Sequence, residues 1–227
     1  MLIMPRSLAS APGRFLRETD AISAIEFSIW APLMCLVMFG GIDITRYVMA
    51  TGRISDVAST IGQMLSVNTS GTVNYIDLQF YHDSAMVIYP QVLLDAQQQN
   101  ENWSSDMAIT MTSVTFTAKP AGCTSNCTYV PKVVWTSGSN PRSCTVPMTA
   151  VSDSSAPSPK TLPTDTFGPT SLLVVDVSFT FRPLIASKLL SNVNLTIARS
   201  FYVSPRYVAS VNYQKITGDT GIATVCS

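Results

Sequence analysis

Few residues in this chain of 227 could do chemistry, and their spacing excludes most reactions. The one histidine, His82, has no second histidine or cysteine beside it in sequence, so it starts neither a metal site nor a nucleophile–base pair. Asp153, Asp165 and Asp219 stand in Gly/Ser/Pro-rich stretches, where carboxylates close turns. No glycine-rich phosphate loop is found. These residues point to a protein that is not an enzyme and uses no cofactor or metal. Two groups still call for a chemical role. One is Glu26, the single charge in the 21-residue apolar run Ile22–Ile42. A carboxylate inside such a run is costly unless it is paired, which makes it a functional candidate. The other is four cysteines outside that run, Cys123, Cys127, Cys144 and Cys226.

The apolar run sets the organisation of the chain. A 21-residue helix covers about 30 Å, the hydrocarbon thickness of a bilayer. Arg6, Arg14 and Arg17 precede it, which favours a single span with a cytoplasmic N-terminus and an exported remainder. A cleaved secretory signal would need an apolar region within the first residues and a small-residue cleavage site after it, and the order here is different. Only 12% of residues are charged, Lys+Arg and Asp+Glu are equal at 14 each, and Ser and Thr together make up 52 residues. A neutral chain without a basic surplus is not built for nucleic acid.

Beyond Ile42 the helical period continues. Tyr47, Val48, Ile54, Val57, Ala58, Ile61, Met64 and Leu65 recur at three- and four-residue steps, with Asp43, Arg46, Arg53, Asp56 and Gln63 between them as a polar face. The predicted helix, residues 22–66, is about 68 Å long, and its outer half is an amphipathic stalk. Val73–Leu94 reads as helix broken near Pro90, with Val73, Ile76, Phe80, Met86 and Val87 as its apolar positions. Gln97–Asn102 reads as a solvated connection. Period-two alternation then predicts strands over 107–117, 130–136, 172–181 and 193–203, with a short helix at 183–190 and a Ser/Pro-rich loop at 137–170. The fold class is α+β: a long N-terminal helix packed against a small antiparallel sheet, with the head occupying residues 67–227. Cys35 lies in the apolar run as a packing residue. The four remaining cysteines imply two disulfides, with three connectivities open; a local Cys123–Cys127 pair would leave Cys144 to tie down Cys226.

The N-terminal pattern is a basic leader, Ala21, then Ala24-Ile25-Glu26-Phe27-Ser28, Pro32-Leu33, Phe39-Gly40 and Arg46. It resembles the TadE/TadF-like minor pilins and pseudopilins of the tight-adherence (Tad/Flp) pilus system. The resemblance implies processing by prepilin peptidase between Ala21 and Ile22, which removes residues 1–21 and leaves the helix in the membrane. It also implies that Glu26, followed by Phe27, acts in assembly by pairing with the new α-amino group of Ile22 about one turn away, where low dielectric strengthens the pair. The partners implied are prepilin peptidase, other pilin and pseudopilin subunits, the inner-membrane assembly platform and the lipid bilayer, with no nucleic acid. The location implied is the bacterial inner membrane, single pass, with the head periplasmic or carried into an extracellular pilus. The alternative from a different class is an unprocessed, single-pass anchored binding protein, in which Glu26 is incidental.

Overall fold

The computed structural model describes residues 19–187 and 193–226. Most of the expected leader therefore lies outside the described residues. Helix α1, Thr19–Ser66, runs 48 residues without interruption through Pro32. Its hydroxyls turn back onto the helix: Ser28 donates to the Ile25 carbonyl at 3.1 Å, Thr45 to Gly41 at 2.8 Å and Thr51 to Tyr47 at 2.9 Å. These three hydroxyl donors are then not left unpaired in an apolar surrounding.

The two halves of α1 bury different things. From Ile25 to Met49 the large apolar side chains point outward, and the helix is long and apolar enough to cross a membrane, with none of that stretch covered by the fold. From Ala50 on, one stripe of Ala50, Ile54, Val57, Ala58, Ile61 and Leu65 is buried against the head. Each fully buried aliphatic side chain contributes roughly 1.5–3 kcal/mol, so this stripe contributes most of the apolar attachment of the stalk to the head. Val48 was expected in the stripe but faces outward, because the head contacts the side of α1 that carries Asp43, Tyr47, Ala50 and Ile54. Gly62 marks the closest approach: a Cβ there would run into the ring of Phe201.

After α1 the chain makes strand β1 (Thr72–Val73), helices α2 (Tyr75–Ile88), α3 (Gln91–Gln99) and α4 (Trp103–Asp106), then strands β2 (Met107–Lys119) and β3 (Thr128–Gly138). Strands β4 (Thr149–Val151), β5 (Thr161–Pro163), β6 (Leu172–Phe181), β7 (Leu195–Val203), β8 (Asn212–Tyr213) and β9 (Ala223–Val225) follow. Asn74 starts α2 with a capping box, accepting from the Ile76 and Asp77 amides while Asp77 accepts from its own. Five strands form an antiparallel sheet in the order β7-β6-β2-β3-β9, and α1 packs across β6 and β7. The fold is thus α+β, a long helix laid on an antiparallel sheet.

Alternation along β6 divides the core in two. Leu173, Val175, Val177, Phe179 and Phe181 face the α1 layer, while Leu172 and Val174 face the other side with Val114, Val133, Met148 and Leu162. A bulge in β3 opposite Ser113 and Val114 lets Trp135 join the helix layer while Val133 serves the opposite one. The Trp135 indole N–H donates to the Val211 carbonyl at 2.9 Å, which satisfies its one polar atom.

Several local expectations differ. Ile76, Phe80 and Val87 are exposed, and α2 buries Leu78 and Ala85 instead. Val73 is buried, but in a two-residue strand paired with β8. Gln97–Gln99 complete α3, which ends at Asn100 in the left-handed conformation. The 137–170 segment is a folded excursion rather than a bare loop. It carries the parallel pair β4–β5 and is pinned by Arg142, whose guanidinium is wholly buried. Arg142 grips Asp176 with two bonds of 2.9 and 3.0 Å and donates to the Thr161 carbonyl at 2.8 Å. Ser200 also donates to Asp176. Of the helix expected at 183–190, Ala186–Ser187 are helical and residues 188–190 lie outside the described residues.

Candidate functional site

Residues 21 and 22 lie within helix α1, two turns before the densest apolar stretch. Glu26 and Phe27 are both exposed on it, and no ion pair to Glu26 is found among the described residues. A bare carboxylate with an apolar ring beside it, on a helix side that the head leaves open, is available to a neighbouring helix or a terminal ammonium.

The geometry is richest where the span meets the head. Asp43, one residue past the apolar run, was expected on the polar face but is 8% exposed. Its carboxylate accepts the amides of Leu184, Ile185 and Ala186 at 2.9, 3.1 and 2.9 Å. Successive N–H groups at a chain turn form a concave anion cradle, and here the anion is a side chain of the stalk. The turn after β6 is therefore tied to α1 directly after the apolar run.

One turn further, Arg46 lies with its guanidinium carbon 5.9 Å from the centre of the Phe181 ring, in cation–π range. Its Nη1 is buried and bonded to nothing among the described residues. Arg182 reaches three carboxylates: Asp106 at 2.7 Å, Glu101 at 3.4 Å and Asp95 at 3.8 Å. Asp106 is 2% exposed, and its contact with Arg182 is electrostatic rather than a directed hydrogen bond. Burial and the neighbouring Asp106 push the Asp95 carboxyl above its ordinary value, with Arg182 and Arg46 opposing. Between α1, α3 and the end of β6, Arg46, Asp95, Phe181 and Arg182 line a cavity of about 550 Å³, with Arg53 and Asp56 also on its wall.

The cysteines lie on the far side of the head. Cys123 is disulfide-bonded to Cys127 across a short turn, and Cys144 to Cys226, closing an 82-residue separation and fastening the C-terminal strand. Cys35 is free and exposed on the span. His82 packs against Trp103 with ring centres 4.6 Å apart and planes tilted by 41°, and its Nδ1 lies 3.1 Å from Asp83. No group of three or more His, Cys, Asp or Glu suited to a metal occurs among the described residues.

Sequence reasoning placed Arg46 within a motif but missed Asp43, Arg142 and Arg182 as a set. The signals available were faint: an acid at the mouth of the span, a lone arginine in a Ser/Pro-rich stretch, and an arginine ending an apolar strand.

No curated protein and no solved structure matches the chain. The family model described as TadE-like protein matches residues 21–62. That match covers the apolar run and most of the stalk, including Glu26, Phe27, Asp43 and Arg46. Over residues 21–62 the N-terminal helix of this chain is thus similar to the TadE-like protein family.

Proposed function

We propose that the protein is a structural subunit of a tight-adherence pilus system, a minor pilin or pseudopilin anchored by one helix with its head outside the cytoplasm. The observation carrying this reading is the TadE-like match beginning at Ala21, with Glu26 five residues later and exposed. Prepilin peptidase cuts between Ala21 and Ile22 on the cytoplasmic face, removing the basic leader. The freed α-amino group of Ile22 then lies about 6 Å along the helix from Glu26, within reach inside one subunit or between two. In a low-dielectric setting each charge offsets the desolvation of the other, which sets the register of one helix against its neighbour. The disulfides suit a head that works in an oxidising compartment. Its partners are other pilin subunits and the inner-membrane assembly platform.

The test is the mass of the mature protein purified from its native host. A chain beginning at Ile22 supports processing; a chain retaining residues 1–21 overturns it and leaves the unprocessed, anchored binding protein. Glu26→Ala should leave the protein at normal abundance while reducing piliation. Normal pili in that variant would take the carboxylate out of the mechanism.

A further inference from the structure

The cavity between stalk and head sits at a definite height above the membrane. Asp43 follows the apolar run directly and binds the amides of Leu184, Ile185 and Ala186, so that turn lies at the edge of the hydrocarbon. Arg46 is four residues past Ile42, about 6 Å along the helix axis, within the headgroup layer of one leaflet. Leu184 and Arg46 form the cavity's lower rim, and Arg53 and Asp56, 3.8 Å apart, lie farther up its wall. Met49, Leu94 and Leu184 are apolar, exposed and part of the same lining.

The charges are divided in an uncommon way. Arg182 is shared among Asp95, Glu101 and Asp106, leaving an excess of carboxylate on the α3 side. Arg46 on the α1 side lines the cavity and makes no ion pair among the described residues, and the nearby Asp43 is committed to backbone amides. A ligand with an anion at one end and a cation at the other satisfies both sides at once. A guanidinium is the side chain best matched to a phosphate, and about 550 Å³ is in the range of small-ligand sites.

Resting on the membrane-anchored reading above, we propose that this cavity binds the headgroup of a phospholipid carrying both a phosphate and a primary ammonium. Arg46 takes the phosphate and Asp95 the ammonium; Leu184, at the lower rim, guides the glycerol and upper acyl chains, while Met49 and Leu94 lie beside the headgroup. Such a lipid fastens the head to the leaflet from which the helix emerges and limits its rocking about the stalk.

Native mass spectrometry of the full-length chain, released from nanodiscs holding equal parts phosphatidylethanolamine, phosphatidylglycerol and phosphatidylcholine, tests this directly. The expected spectrum shows one retained lipid, predominantly phosphatidylethanolamine. Arg46→Gln should lower that adduct about tenfold, the effect of one charge-assisted contact. Asp95→Asn should erase the preference for the ammonium-bearing lipid. Met49→Asp, at an exposed position that does not threaten folding, should also reduce retention. Equal adducts in wild type and all three variants, or a dominant phosphatidylglycerol adduct, would overturn the assignment. Loss of the adduct on adding inorganic phosphate alone would make the site one for free anions and overturn it too. The same spectrum reports whether the chain begins at Met1 or Ile22, and failure to enter nanodiscs at all would strike the anchored reading instead.

Discussion

Replacing Asp43 by alanine removes the acceptor of three backbone amides, at Leu184, Ile185 and Ala186, and leaves the helix backbone itself intact. A hydrogen bond to a charged group contributes roughly 1.5–3 kcal/mol when its partner cannot be replaced. Leu184 is 46% exposed, so water can rehydrate part of the freed turn. The net cost is therefore about 2–4 kcal/mol rather than three full bonds. At about 1.4 kcal/mol per decade, the opening equilibrium of the turn should rise roughly thirty- to a thousandfold. Amide hydrogen exchange reads this residue by residue. The amides of 184–186 should lose protection by that factor, while those of Val174–Val177 in the middle of β6 keep theirs, because local and global opening are separate events. Unchanged exchange at 184–186 would show that the carboxylate does not hold the turn. Equal loss of protection throughout β6 would show instead that Asp43 supports the whole head, which would refute the clamp.

Removing Arg142 alone as Arg142→Met should cost about 2–4 kcal/mol in denaturant unfolding, and adding Asp176→Leu should recover part of that loss, because the single change strands a largely buried carboxylate. Gly62→Val should lower stability by about 1–3 kcal/mol, since its side chain meets the Phe201 ring; an unchanged thermal midpoint would mean that the helix stands farther from β7. Losing the Cys144–Cys226 bond should cost about 4 kcal/mol and losing Cys123–Cys127 about 2 kcal/mol, because the first closes the far longer loop; equal costs in paired Cys→Ser variants would contradict the loop-entropy argument. Burial and the bond to Asp219 push the Tyr213 phenol from 10.0 up to about 12, so this contact's stabilisation is complete below pH 10 and is lost as pH rises through the folded value. The Gly221 amide and Tyr213 hold Asp219 below 3.8, so its contribution is present above that ordinary value and is lost as pH falls through the lowered one. Asp219→Asn should bring one tyrosine's ionisation, followed by ultraviolet absorbance, back toward 10; an unaltered titration would refute the coupling.

Much of the architecture was written in local patterns. An apolar run followed by three- and four-residue periodicity requires a long helix whose two halves meet different surroundings, and α1 ends at Ser66, the end that its spacing predicts. Alternation in Leu172–Phe181 requires a strand with two distinct faces, because successive side chains point opposite ways. The TadE-like character of the N-terminal helix was legible for the same reason: it resides in contiguous residues.

What the tertiary structure decided are relations between distant residues. Ile76, Phe80 and Val87 have helical spacing, yet they face solvent; periodicity identifies a stripe, but only packing determines which side is covered. Asp43 and Ala186 are 143 positions apart, and nothing local to either announces that one cradles the other. Arg142 becomes a buried strut only because β6 brings Asp176 beneath it, and the cavity beside the stalk exists only once α1, α3 and the end of β6 are placed together. A sequence determines elements through interactions among near neighbours. Charged partners, clamps and cavities depend on where the chain returns to itself, and here the return of the sheet onto the stalk made them.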